Sequence, residues 1–280
     1  NDYFYNIGYE LGMNGQEYDS NKGTDTLAKY AKEFGLGEKS GVEIPESEPQ
    51  ISDEYSVQSA IGQGTNNFTV SQLNRYVAAV ANRGTVYKLT LLDKTTDVNG
   101  KVIKEYEPEV TNTIDDISDN TWNLLHQGMI AMVQDMSQFN GMEISMAGKT
   151  GTVQAEFNKD LTSDQWVIGY TPDVVMTTWI GFDKTDESHY LTGASSGTAS
   201  TIFSYIAADV LPNTPGTEFT VENAYAADGQ TLDYTADPND SRNSSNKSWT
   251  DKASDVVNDV KDQASSLWDK ITDSFSGLFR

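Results

Sequence analysis

The sequence predicts an α/β fold in which an antiparallel sheet is flanked by helices. Three observations carry that expectation. Apolar residues recur at helical spacing in five separate stretches. Three extended apolar segments follow closely on one another near residues 144–181, the last two joined by the tight turn "TPD". And 280 residues, 37% of them hydrophobic, suffice for a sizeable core.

In chain order, residues 3–12 place Phe4, Ile7, Gly8 and Leu11 at helical intervals. A second helix runs from about Thr24 to Phe34, with Leu27, Ala28, Ala31 and Phe34 on one face and "GLG" as its stop. "GVEIPESEP" reads as an extended, proline-limited connection. Thr69 and Gln72 stand three apart before Leu73, Tyr76, Val77 and Val80, which spells a capping box opening a helix that ends at Asn82 and Gly84. "TVYKLTLLDK" and "KVIKEYEP" are expected to pair as a hairpin through "DVNG". A helix opening near Ser118 puts Trp122, Leu125, Met129, Met132, Val133 and Met136 on its buried stripe, where the methionines serve as core filler. Strands follow at Ile144–Gln154, Gln165–Tyr170 and Val174–Gly181, and 198–211 forms a helix suited to lie across them.

Beyond about Pro215 the character changes. Residues 216–248 read as a polar linker, and 249–280 as an amphipathic helix with Ala253, Val257, Val260, Ala264, Leu267 and Ile271 along its stripe. The polar face of that helix is rich in aspartate, which favours a protein partner over a membrane surface.

Charge narrows the function. Nineteen basic against 42 acidic residues give −23, a surface that repels nucleic acid and anionic lipid. Without cysteine there is no disulfide framework, thiolate chemistry or zinc–cysteine site. Two histidines, His126 and His189, lie far apart, so no metal site is expected. No run approaches transmembrane length.

The chemistry is sought at Lys149-Thr150-Gly151-Thr152, where a lysine and a glycine interrupt a strand. Glycine removes the side chain that would block close approach, so an extended peptide can add to the strand edge. The lysine and the threonine hydroxyls can together hold an anionic terminus. The plainer reading is an edge lysine that discourages aggregation.

The surrounding segments weigh against the plainer reading. "FGLGEKSGVEIP" (34–45), "IGQGTNNFTVSQLNRYVAAVANRG" (61–84) and "AGKTGTVQAE…QWVIGYTP" (147–172) resemble, in order, the transpeptidase domain of penicillin-binding proteins, with a class B-like loop at Gly62-Gln63-Gly64. The resemblance covers roughly 1–212 and implies the fold shared with serine β-lactamases. Such proteins use S-x-x-K, S-x-N and K-T-G motifs. It identifies Lys149-Thr150-Gly151 with the third and Asn1 with the asparagine of the second; the first is expected upstream of this chain, which would begin partway through a larger protein.

The resemblance further implies a serine acyl-enzyme formed on the D-Ala-D-Ala end of a peptidoglycan stem peptide, with no metal or cofactor, and β-lactams as mimics of that end. Lys149, Thr152 and Asn1 then belong to the catalytic set: Lys149 for the carboxylate and the motif serine, the Thr152 N–H for the oxyanion, Asn1 for the stem-peptide amide. Thr150 and Gly151 serve substrate binding, and Gln154 lines the groove. Glu156 and Trp166 are left as loop and packing residues. Other implied partners are the missing N-terminal segment and cell-wall synthesis proteins, at the extracytoplasmic face of a bacterial membrane. The chain alone is expected to be inactive, with an unpaired edge on its last strand and marginal stability. A D,D-carboxypeptidase or β-lactamase relative, and a β-lactam sensor or inactive scaffold, remain open beside the transpeptidase.

Two look-alike motifs carry no such role. Ser118-Asp119-Asn120 spells S-x-N but sits where a helix needs its cap. Ser244-Ser245-Asn246-Lys247 spells S-x-x-K inside the linker, where nothing holds a base against a nucleophile.

Overall fold

The computed structural model describes residues 2–142 and 144–220. Asn1, most of the linker and the helix expected at 249–280 lie outside the described residues, as does Ser244–Lys247.

The chain opens with α1 (Asp2–Gly12), then a small hairpin of β1 (Met13–Asn14) and β2 (Glu17–Tyr18), then α2 (Ser20–Glu33). α2 starts four residues before Thr24 because Asp19 caps it, its carboxylate accepting the Asn21 N–H at 2.9 Å. A short helix, α3 (Ser56–Ser59), falls in a stretch for which no helix is expected from the sequence. It presses against α1 at Gly8, where an added Cβ would lie 2.7 Å from Ser56 O.

α4 (Val70–Ala81) carries the expected capping box. Thr69 Oγ1 accepts the Gln72 N–H at 3.2 Å, and Gln72 Oε1 accepts the Thr69 N–H at 2.9 Å. Arg75, near mid-helix and 2% exposed, ties α4 to its surroundings. It donates to Tyr87 O at 2.7 Å, Gly35 O at 3.3 Å, Lys39 O at 3.2 Å, Thr111 Oγ1 at 2.7 Å and Glu38 Oε1 at 2.8 Å.

The hairpin expected between "TVYKLTLLDK" and "KVIKEYEP" divides into two ladders. β3 (Thr85–Lys88) pairs with β6 (Glu109–Thr113), and β4 (Lys94–Thr96) pairs with β5 (Val102–Glu105). Glu43 breaks the first run: its carboxylate takes the Leu91 N–H at 2.9 Å and the Thr90 hydroxyl, while Leu89 N–H is taken by Ser40 O at 2.9 Å. The turn at Asp97–Gly100 is where expected, with the Asp97 carboxylate accepting the Asn99 and Lys101 N–H groups.

α5 (Asp119–Gln134) begins at Ser118, whose hydroxyl accepts the Thr121 N–H at 3.2 Å, so this serine caps. Its buried stripe is rotated from the expected one. Leu125 is 41% exposed, whereas Asn123 and His126 are buried beside Trp122 and Val133. His126 is drawn inward by the Tyr170 hydroxyl, 2.6 Å from its Nδ1.

The main sheet has the order β7 (Ala147–Gln154), β8 (Thr162–Tyr170), β9 (Val175–Gly181), all antiparallel. β8 starts three residues before Gln165, and β7 three residues after Ile144. α6 (Thr198–Val210) lies across one face, with Phe203 fully buried against Gly169. There Val133, Met146, Val167, Met176 and Ala207 form one core; on the opposite face Val77 and Val80 of α4 pack on Ala147 and Tyr170. The packed body continues past Pro215. Asp173 accepts the N–H and hydroxyl of Thr217, and Phe219 stacks edge-on against Tyr170. β9 has no second strand neighbour among the described residues. Among them too, no helix is long and apolar enough to cross a membrane.

Candidate functional site

The side-chain alternation of a strand divides β7 into two faces. Lys149, Gly151 and Val153 share the face of their partners Ile168, Trp166 and Asp164 on β8. Thr150, Thr152 and Gln154 belong to the other face. α4 covers the Ala147–Tyr170 end of the first face and leaves the Gly151–Trp166 end open.

A cleft of ≈ 650 Å³ lies there. Lys149 to Val153 line one side, residues of the 61–73 segment the other, and Asp164, Trp166 and Trp179 the floor. The indole N–H of Trp179 donates to Asp164 Oδ1 at 2.8 Å, and the two indoles stand 6.1 Å apart, centre to centre. An added Cβ on Gly151 would have Trp166 as its nearest neighbour, at 3.4 Å, so sheet packing does not demand this glycine. Without a side chain it leaves the floor open at that point.

The four motif residues Lys149, Thr150, Gly151 and Thr152 therefore meet at one cleft. Gln154 does not join them; its amide donates to Lys159 O at 3.1 Å and braces the following loop. Glu156 is exposed on that loop. Asn1 lies outside the described residues. Trp166, read from sequence as packing, is part of the floor.

Two backbone carbonyls of β7 point away from β8. Val153 O faces β8, where the Ser163 hydroxyl donates to it at 3.4 Å. Alternation then turns Thr150 O and Thr152 O outward. Lys149 Nζ donates to Thr150 O at 2.9 Å, and Gln63 Nε2 to Thr152 O at 3.4 Å. The Thr152 hydroxyl is engaged as well: it lies 2.8 Å from Ser195 Oγ and accepts the Ser195 N–H at 3.1 Å. Buried Ser195 is held in place because the chain before it pairs with β8 at Thr162↔Leu191.

Gln63 and Ser195 were missed as site residues by sequence reasoning. For Gln63 a signal existed in the flanking Gly62 and Gly64, both with positive φ, +83° and +87°. For Ser195 there was none, since its role arises from a contact 43 residues away.

Opposite the edge, Glu46 fixes the start of α4. Partial burial pushes its carboxyl up, but hydrogen bonds from Ser71, Ser40 and Thr69 outweigh that and hold it below the usual range. Among the described lining residues the hydroxyls are those of Thr69, Thr150 and Thr152, and the first is committed to its cap. The lining carries one cation, Lys149, two carboxylates, Asp164 and Asp183, backbone donors and acceptors, and an aromatic floor.

Comparison with known families gives one match that covers most of the chain, "Penicillin binding protein transpeptidase domain", over residues 1–208. Penicillin-binding protein 2a of Streptococcus pneumoniae is 35% identical over 258 residues, 87% of this chain and 34% of that protein. Penicillin-binding protein 2B of the same species is 31% identical over 177 residues, 54% of this chain and 26% of its own length. This chain thus spans about a third or less of these relatives (34% and 26%). Among solved structures, that of penicillin-binding protein 2B from S. pneumoniae superposes with a TM-score of 0.63 at 21% identity, covering 78% of this chain and 38% of that one. PonA1 from Mycobacterium tuberculosis gives 0.58 at 21% identity, covering 81% and 57%.

Proposed function

The chain belongs to the penicillin-binding protein transpeptidase family, and from that premise we propose that it is part of a peptidoglycan D,D-transpeptidase acting on stem peptides that end in D-Ala-D-Ala. The observation that carries this reading is the cleft edge itself: an ammonium, a glycine-cleared floor and outward backbone groups converge on one groove at Lys149–Thr152. An extended peptide adds to that edge as a further strand, with its terminal carboxylate beside Lys149.

In this reading a serine of the parent protein, outside these 280 residues, attacks the carbonyl between the two D-alanines. Its proton passes to the lysine of the S-x-x-K motif, likewise outside these residues, the C–N bond breaks, and the terminal D-alanine leaves as the amine with that proton. An amine of a neighbouring stem then displaces the serine oxygen and forms the cross-link. The Thr152 N–H is one oxyanion donor, a role whose loss costs roughly 3 kcal/mol in such sites. Asn1 is assigned to the stem-peptide amide. β-Lactams are taken by the same serine; PonA1 has been solved with penicillin V, which supports this for the fold. Activity is placed at the outer face of a bacterial membrane, with other cell-wall synthesis proteins as neighbours. The 280 residues alone do not turn over.

A fluorescent penicillin tests the proposal on the full-length parent. The label is expected on a serine outside this chain, and Lys149→Ala is expected to slow labelling by at least about tenfold through loss of the charge-assisted contact. Equal labelling of the variant, or none of the parent, overturns it.

A further inference from the structure

Strand addition requires free outward backbone groups, yet both outward carbonyls of β7 in the cleft are occupied by the protein's own side chains. Lys149 Nζ covers Thr150 O at 2.9 Å, and Gln63 Nε2 covers Thr152 O at 3.4 Å. Gln63 is held there by construction. Gly62 and Gly64 provide the two left-handed turns around it, and Asn66 Nδ2 donates to Gln63 O at 3.1 Å. The loop is anchored on buried Ser52, whose Oγ accepts the Thr65 N–H at 3.1 Å and the Ser59 hydroxyl at 2.7 Å. An added Cβ on Gly64 would lie 2.5 Å from that Ser52 oxygen, so the loop cannot slide without breaking the anchor.

Resting on the docking reading above, we propose that Gln63 is a positioning residue that guards the β7 edge, capping Thr152 O until a ligand N–H takes its place. The cap closes an edge that would otherwise recruit any passing strand. A ligand that offers an N–H alone exchanges one hydrogen bond for another and gains little. A ligand with a carboxylate draws Lys149 off Thr150 O into a charge-assisted bond, which supplies the gain that displacement of Gln63 needs. The two carbonyls belong to residues two apart on one strand, about 7 Å. The fitting ligand therefore places its N–H and carboxylate that far apart, as the last two residues of an acylated peptide do.

The test uses the full-length parent protein and its Gln63→Ala variant, titrated with N-acetyl-D-alanyl-D-alanine and with D-lactate, following backbone amide shifts by NMR. D-lactate carries the carboxylate but is too short to reach Thr152 O. Removing the cap is expected to tighten dipeptide binding about three- to tenfold while leaving D-lactate unchanged, and to move the Thr152 carbonyl ¹³C shift in the free protein. Melting temperature checks that the variant keeps its fold. Dipeptide binding that is unchanged or weakened, equal tightening of both ligands, or an unmoved Thr152 carbonyl shift overturns the guard alone. Failure of both proteins to bind the dipeptide at millimolar concentration overturns the docking reading, and the guard with it.

Discussion

His126 Nδ1 lies 2.6 Å from the Tyr170 hydroxyl, and the opposite ring nitrogen, Nε2, is buried without a hydrogen-bond partner. Trp122, Tyr170 and Phe219 surround the imidazole. Burial, aided by the nearby Arg83 guanidinium, lowers its pKa from 6.5 to about 4. The unfolded chain therefore binds a proton between pH 6.5 and 4 that the folded chain refuses. Stability from this group is complete above pH 6.5 and falls as pH drops to about 4, by about 3 kcal/mol in all. Urea unfolding at pH 7.5 and 4.5 is expected to show the loss, and His126→Gln, which does not titrate, is expected to flatten it. Glu46, whose carboxyl is held low, adds its own loss as pH falls through its ordinary value of 4.5, overlapping only the acid end of this window.

Arg75 and Glu38 pair at 2.8 Å, yet the two ends of the bridge differ in weight. Glu38 is 63% exposed at its side chain, so Glu38→Ala is expected to cost under about 1 kcal/mol. Arg75→Leu strands three backbone carbonyls, those of Tyr87, Gly35 and Lys39, and is expected to cost about 3–5 kcal/mol. Chemical denaturation of the two variants gives the comparison directly.

The fold's outline was legible where a local rule spoke alone. The Thr69–Gln72 box, the Ser118 cap and the three long strands each follow from residues within a few positions of one another. The misread elements share a different cause. Glu43 reaches 48 residues ahead to Leu91 and divides a strand, and Tyr170 reaches 44 residues back to turn His126 inward. Nothing local records either contact. The site divides the same way: Lys149, Thr150, Gly151 and Thr152 stand together in sequence and in space. Gln63 and Ser195 reach Thr152 only through loop placements that tertiary contacts decide.

Two glycines of the sheet are expected to respond oppositely to alanine. At Gly169 a Cβ would lie 2.6 Å from Phe203 Cζ and 2.9 Å from Met146 Sδ, and Phe203 is wholly buried with nowhere to move. Gly169→Ala is expected to cost about 1–3 kcal/mol. At Gly151 the nearest atom is Trp166 Cβ at 3.4 Å, an ordinary contact, and alanine suits a strand better than glycine. Gly151→Ala is expected to keep or slightly raise the melting temperature while slowing penicillin labelling of the full-length parent. A drop in melting temperature equal to that of Gly169→Ala would show that Gly151 serves packing instead.

Thr69 links the cap of α4 to the wall of the cleft. Its hydroxyl oxygen accepts from the Gln72 N–H while its proton goes to Glu46 Oε1 at 2.9 Å. Glu46 in turn takes the Ser40 N–H at 2.8 Å, so the cap also fixes the 40–46 connection. Thr69→Ala removes both bonds and is expected to cost about 1–2 kcal/mol. Thr69→Ser keeps the hydroxyl and is expected to recover most of that. The loss also frees Glu46 from one of the donors that hold its carboxyl down, so the alanine variant's Glu46 is expected to titrate higher than the wild type's in carboxyl-carbon NMR. An unshifted titration with unchanged stability would mean that Ser71, the other hydroxyl on that carboxylate, suffices to hold the helix start.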